Sequence, residues 1–122
     1  MRFDAAWADI LIPNKAGYVA GLLQTNLTET RRCMLRTHAM APNHTISMIE
    51  MSREVWGQNS QSNANRHYGR FAGELRRIVG IMLPEGAPNL CAIGIFKVHP
   101  SGRLPLTMHQ SLVDALTEIG VC

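Results

Sequence analysis

Cationic side chains that could bind phosphates or carboxylates are concentrated in one stretch of the sequence, directly after a polar segment rich in Asn, Gln and Ser. Guanidinium groups bind such anions through two parallel hydrogen bonds, and backbone amides at the start of a helix attract them. A solvated arginine-rich face without a partner is the competing interpretation. The predicted binding site for an anionic partner consists of Arg66, His67, Arg70, Arg76 and Arg77.

A second group of reactive side chains begins within the most apolar segment of the chain and continues beyond it. Residues at strand ends and in the loops that follow often bind ligands, so this group could line a pocket, although we favour ordinary turn chemistry because no third catalytic partner can be named. Cys91 and His99 fall on the same side of the expected strand, but the extended chain between them holds them roughly 26 Å apart, too far for a nucleophile and its base. The group consists of Cys91, His99, Ser101, Arg103 and His109.

The histidines and cysteines show none of the spacings that are typical of metal sites. The five histidines are separated by 6, 23, 32 and 10 residues. A helix presents two ligands to one metal ion at a spacing of three or four residues, which none of these intervals provides. The three cysteines, Cys33, Cys91 and Cys122, fit neither a disulfide framework nor a paired-thiol site. We expect reduced thiols, no metal and no cofactor.

The composition is that of a folded chain with a mild basic excess. Of 122 residues, 46% are hydrophobic and 17% are charged, which excludes a chain that is disordered throughout. The formal net charge of +3 at pH 7 permits an anionic partner without requiring one. The longest uncharged apolar runs are far shorter than the roughly 18 residues needed to cross a bilayer. We therefore expect no membrane segment and a cytoplasmic location.

A single domain is expected for residues 1–122, because a chain of this length is too short for two independent cores. Its clearest internal break is the polar stretch 57–65, which is predicted to be a surface loop. From Tyr68 to Met82, apolar residues recur at steps of three and four, which predicts an amphipathic helix with arginines on its opposite face. Tyr68 lies on the apolar stripe, so it is expected in the core and not as a base-stacking aromatic at the surface.

Two further helices are predicted on either side of this one. The first lies between residues 15 and 40, and a cap pattern at Asn26 would allow it to break near Thr25. The second begins with the capping-box pattern Thr107–Gln110 and ends at Gly120, a residue suited to a left-handed helix terminus.

The strands have weaker patterns. Residues 90–98 are apolar on both alternating sides, which predicts a strand covered on both faces. Residues 104–107 could pair back with it, although Pro105 would restrict them to an edge of the sheet. Residues 7–12 are a further candidate strand.

Residues 44–56 fit two structures. Their β-branched side chains favour a strand through Met51, which we prefer, whereas the capping-box pattern of Ser47 and Glu50 favours a helix. The resulting order is strand, helix, strand, helix, strand, short edge strand and helix. This order predicts an α+β domain in which three helices pack on a small mixed β-sheet.

No stretch is specific enough to name a protein family, so the functional prediction rests on individual residues. We favour a non-enzymatic binding or adaptor domain that presents its arginine-rich helix face to an anionic partner, either a nucleic acid or an acidic protein surface. The alternative is a small enzyme or ligand-binding protein with a pocket near Cys91, His99, Arg103 and His109. The apolar content and seven methionines also predict a homo-oligomer.

Overall fold

A computed structural model describes residues 5–97, 99 and 103–122 of the chain. These residues form a small α+β fold with five α-helices and a three-stranded antiparallel sheet. The predicted α+β class is confirmed, whereas three helices and a mixed sheet were wrong. The helices are α1 (Lys15–Gln24), α2 (Glu29–Ala39), α3 (Met48–Trp56), α4 (Ser62–Val79) and α5 (Gln110–Glu118). The strands are β1 (Thr45–Ile46), β2 (Gly94–Phe96) and β3 (Leu106–Met108).

The structure has two more helices than predicted. One arises because a single predicted helix is divided in two, and the other forms in a segment that was predicted to be a strand. The helix expected between residues 15 and 40 is interrupted near Thr25, as its cap pattern allowed, and forms α1 and α2. The residue that caps α2 is Thr28 and not Asn26, because the Thr28 hydroxyl accepts a hydrogen bond of 3.2 Å from the Arg31 amide.

Residues 44–56 form a two-residue strand followed by α3, so the strand preferred through Met51 is wrong. Ser47 caps the helix: its hydroxyl accepts a hydrogen bond from the Glu50 amide, and the Glu50 carboxylate accepts one from the Ser47 amide. This reciprocal pair satisfies two donors that a helix start would otherwise leave unpaired. This stabilisation of the helix start outweighs the β preference of the nearby β-branched side chains. Only Thr45 and Ile46 of this segment form a strand, β1.

The start of α4 lies inside the stretch that was predicted to be a loop. The helix begins at Ser62, so residues 62–65 are helical and only 57–61 connect it to α3. Two hydroxyls satisfy amides of its first turn: the buried Ser52 accepts from Ala64, and Ser60 accepts from Ser62, each at 3.2 Å.

The ends of α4 and α5 show how glycine stops a helix. The helix expected to reach Met82 ends at Val79, because Gly80 adopts a left-handed backbone with φ of 77°. Gly120, with φ of 80°, follows α5 in the same conformation, as predicted. The predicted start of α5 was wrong, since its N-cap is His109 and Thr107 belongs to β3.

The sheet has the order β1-β3-β2, so β3 pairs on both of its sides. The prediction that Pro105 confines this segment to an edge was therefore wrong. Pro105 immediately precedes the first paired residue, Leu106, so its missing amide is not needed, and its carbonyl accepts a hydrogen bond of 2.9 Å from Lys97. Gly94 of β2 lies so close to β3 that a Cβ there would overlap the Thr107 backbone.

The segment predicted as the long strand 90–98 is only partly extended. Its first residues belong to a 3-10 helix, Asn89–Ala92, and β2 is limited to three residues. Residues 90–96 are buried or half-buried, both in the 3-10 helix and in β2. This burial explains why the segment is apolar on both alternating sides. Val98 lies outside the described residues. The candidate strand at residues 7–12 was also wrong, because Ala5–Asp9 is a 3-10 helix.

The buried apolar side chains form one core cluster, to which each of the five helices contributes. Its largest fully buried members are Tyr18, Tyr68, Phe71 and Phe96, so the predicted core position of Tyr68 is confirmed. None of the helices in the described ranges is long and apolar enough to span a membrane. The assignment of the whole chain to one domain stays a prediction.

Candidate functional site

Three of the predicted arginines form a row along the exposed face of α4. At 100° per residue, the directions of Arg66, Arg70 and Arg77 differ by no more than about 40°, and all three residues are exposed. The Arg66 guanidinium donates a hydrogen bond of 3.2 Å to the Asn63 side chain. We call Arg66, Arg70 and Arg77 the arginine row.

The row carries uncompensated positive charge. Glu74 follows Arg70 by four residues, the spacing at which a helix normally pairs opposite charges. The Glu74 carboxylate instead forms an ion pair with Arg31 of α2, whose guanidinium also lies over the Phe71 ring, 5.3 Å from its centre. In the described part of the chain, no member of the row forms an ion pair with a carboxylate.

The other two residues of the predicted site, His67 and Arg76, lie on either side of the row. The His67 ring stacks on Trp56 of α3, with ring centres 5.3 Å apart and planes 28° apart. Arg76 is half-buried, and its Nε atom is buried without a hydrogen-bond partner among the residues described. Trp56 was missed because the strand preferred for this segment ended at Met51, which left Trp56 without an assigned element. Its position just before a polar loop was the available clue.

A groove of about 750 Å³ lies beside the row, between α3, α4, β2 and the segments that flank β2. Asn65 and Gly69, each adjacent in sequence to a member of the row, line it on the α4 side. No aspartate or glutamate belongs to its described lining. Its apolar lining comes from Met48, Ile49, Pro88, Leu90, Phe96 and Leu104, and its polar side chains from Ser47, Gln61, Asn65, Asn89 and Arg103.

The second predicted group of residues is divided between two places. His99 and Arg103 line a cavity of about 460 Å³ together with Ser47, Glu50 and Pro105. Cys91 and His109 do not line that cavity. They are both buried, and they meet where His109 Nε2 donates a hydrogen bond of 3.1 Å to the Cys91 carbonyl.

The contact between Cys91 and His109 involves the cysteine backbone and not its thiol, so it is not a nucleophile and base pair. Burial raises the pKa of the Cys91 thiol to about 11, which disfavours the reactive thiolate at neutral pH. Burial also lowers the pKa of His109, which keeps its ring neutral. Ser101, the remaining member of the group, lies outside the described residues. The enzyme alternative stays a prediction.

The described residues include no group of three or more His, Cys, Asp or Glu side chains arranged to hold a metal ion. Cys33, Cys91 and Cys122 are all free thiols. Comparisons with protein-family models, with curated proteins and with solved structures found no match to this chain. The geometry of α4 and its surroundings is therefore the basis for a functional proposal.

Proposed function

We propose that this protein is a non-enzymatic binding domain that holds an anionic polymer, preferably a nucleic acid, on the arginine row. The observation that supports the proposal is that Arg66, Arg70 and Arg77 share one exposed face while the nearby carboxylate of Glu74 is paired with Arg31. Exposed guanidinium groups that form no ion pair within the described protein are available to phosphates.

The dimensions of the row favour a phosphate backbone over a single anion. A rise of 1.5 Å per residue places Arg66 and Arg77 about 17 Å apart along the helix axis. A stacked strand advances about 3.4 Å per nucleotide, so the row matches the length of roughly five nucleotides. The stacked Trp56 and His67 rings lie beside it, and aromatic rings of this kind bind bases. An acidic protein surface has charge but offers no base for these rings.

The proposal is tested by replacing Arg66, Arg70 and Arg77 together with glutamine and measuring binding to single-stranded RNA at several salt concentrations. Each lost phosphate contact lowers the slope of log K against log salt by about 0.7, so the triple variant should lose about 2 from the slope. The matched control is Lys15→Gln, Arg32→Gln and Arg36→Gln, which removes the same charge from α1 and α2. All six positions are exposed, so the arginine-row variant should keep its thermal stability. The control variant also loses the Lys15–Glu118 ion pair and the hydrogen bonds from Arg32 and Arg36 to backbone carbonyls, so circular dichroism must show that it is still folded at the assay temperature.

Two outcomes would overturn the proposal. One is that the native protein shows no salt-sensitive binding to RNA or DNA at low ionic strength, and the other is that both triple variants lose binding equally. Tight binding to an acidic peptide, together with no binding to nucleic acid, would identify an acidic protein surface as the partner.

Assembly into a homo-oligomer and a cytoplasmic location belong to the same proposal. In the described ranges, four large apolar side chains are strongly exposed, with exposed fractions of 90% for Leu11, 83% for Met82, 72% for Met40 and 69% for Leu23. Such side chains are candidates for contacts between copies.

The three free thiols support the proposed cytoplasmic location, because the cytoplasm is a reducing compartment in which cysteines stay unpaired.

A further inference from the structure

Gly69 occupies an interior position of α4 for which the surrounding protein gives no reason. A glycine inside a helix is about 1 kcal/mol less favourable than an alanine. The backbone of Gly69 is helical and does not have a positive φ. Apart from its chain neighbours and the backbone of its own helix, a Cβ at this position would meet no atom of the described protein within 4 Å. Neither backbone conformation nor internal packing therefore requires glycine at this position.

The contrast with Gly73, one turn later on the same helix, is informative. A Cβ at Gly73 would lie 2.8 Å from the amide nitrogen of the Asn89 side chain, so close packing explains that glycine. The space over Gly69 is instead part of the groove beside the arginine row. Glycine here leaves the helix backbone open toward the groove, as it does where a ligand approaches a backbone closely.

The lining of the groove indicates the chemical class of its occupant. Half-buried apolar side chains, Ile49, Pro88 and Leu104, offer a surface for a flat apolar group. The amide side chains of Asn65 and Asn89 each offer hydrogen-bond donors and an acceptor. A nucleobase has this combination, with apolar faces and an edge of donors and acceptors. A volume of about 750 Å³ falls within the range of small-ligand sites.

We propose that the groove receives an unstacked base of a single-stranded nucleic acid whose phosphates lie on the arginine row. The base lies against the α4 backbone at Gly69, and the amides of Asn65 and Asn89 bind its edge. The absence of carboxylates from the described lining matches the negative charge of the strand. This inference rests on the proposed function, because the row must hold the strand before a base can enter the groove.

The test fills the groove without altering the row. Gly69→Leu places a leucine side chain in open space, and Ala20→Leu places the same side chain at an exposed position of α1 as a control. We expect Gly69→Leu to weaken binding of an RNA of about 10 nucleotides at least tenfold, with an unchanged salt slope. Ala20→Leu should bind as the native protein does. Inorganic polyphosphate has no bases, so its binding should be equal in both variants and in the native protein.

A second variant keeps the test valid if Gly69→Leu does not fold. Asn65→Asp preserves side-chain size and places a carboxylate in the groove, so it should weaken RNA binding more than polyphosphate binding. Native RNA affinity in both Gly69→Leu and Asn65→Asp would overturn the groove inference, and it would leave the proposed function intact if the triple arginine variant still loses binding. Failure of the native protein to bind RNA would overturn both.

Discussion

The side chains of His38 on α2 and Tyr68 on α4 share a hydrogen bond of 2.7 Å inside the core, and both residues are fully buried. The other ring nitrogen of His38 lies 2.8 Å from the carbonyl oxygen of Leu106 on β3. A carbonyl only accepts, so Nε2 carries the proton, and Nδ1 accepts from the Tyr68 hydroxyl. One neutral imidazole therefore links α2, α4 and the central strand.

Removal of the Tyr68 hydroxyl should destabilise the fold. In Tyr68→Phe, the Nδ1 atom of His38 remains buried without a donor, which costs about 1–3 kcal/mol of unfolding free energy. Urea denaturation measures this loss. Because His38→Leu removes the acceptor, the double variant should lose less than the sum of the two single variants. Additive losses, or a Tyr68→Phe protein as stable as the native one, would show that the hydrogen bond contributes nothing.

Stability should fall as the pH is lowered below the ordinary range of histidine. Burial lowers the pKa of His38 to about 4, whereas an unfolded histidine has a pKa of about 6.5. Between these values the unfolded chain binds a proton that the folded chain does not bind, so unfolding becomes more favourable as pH falls through this window. The loss attributable to His38 reaches about 2 kcal/mol at about pH 5. Burial lowers the pKa of His109 too, which acts in the same direction.

Urea denaturation from about pH 7.5 to about pH 5 measures this effect. His38→Leu should reduce the pH dependence, whereas His67→Gln, which removes a partly exposed histidine, serves as the control. An NMR titration provides a direct check. A native His38 ring that takes up its proton near the ordinary pKa of histidine would contradict the prediction.

Two glycine replacements should have opposite effects on stability. A Cβ at Gly21 of α1 would overlap the side chain of Val79 on α4, and valine has little rotamer freedom with which to move away. Gly21→Ala should therefore lose about 1–3 kcal/mol, whereas Gly69→Ala should gain up to about 1 kcal/mol. Both changes add the same methyl group to a helix, so their difference reports the packing of α1 on α4. Thermal unfolding measures both effects. Melting temperatures that rise in both variants, or fall in both, would contradict the predicted opposite effects.

Sedimentation velocity tests the proposed assembly. The exposed apolar side chains of Leu11, Leu23, Met40 and Met82 predict a species larger than the 13.5 kDa monomer at micromolar concentration. Replacement of Met82 by glutamine should reduce that species if this side chain belongs to the contact. A monomer alone across the concentration range would refute the assembly prediction.

The sequence was informative about the fold where a pattern is local. The periodicity after Tyr68 predicted α4 and its core face, because spacing of three and four residues depends only on helix geometry. A short strand at residues 104–107 that pairs with the preceding strand was predicted, but the central place of β3 in the sheet was not predictable, since pairing with β1 joins residues about 60 positions apart. His38 was missed as a core residue for the same reason: its partner Leu106 is 68 residues away.

In the candidate site, too, features within one helix could be predicted, whereas features that join distant segments could not. The arginine row lies on a single helix, so a turn of 100° per residue was enough to align Arg66, Arg70 and Arg77 from the sequence. The groove is assembled from five separate segments, represented by Met48, Gly69, Leu90, Phe96 and Leu104. No local pattern records which distant segments meet, so neither the groove nor the open space at Gly69 could be inferred beforehand.

The central position of β3 has a consequence for biosynthesis. A ribosome makes β1 and β2 before β3, yet the observed ladders connect each of them only to β3. The emerging chain therefore cannot complete its sheet until residues 106–108 have left the exit tunnel, and until then His38 has no carbonyl from Leu106. Nascent chains halted before that point should remain sensitive to protease, and resistance should appear in a single late step.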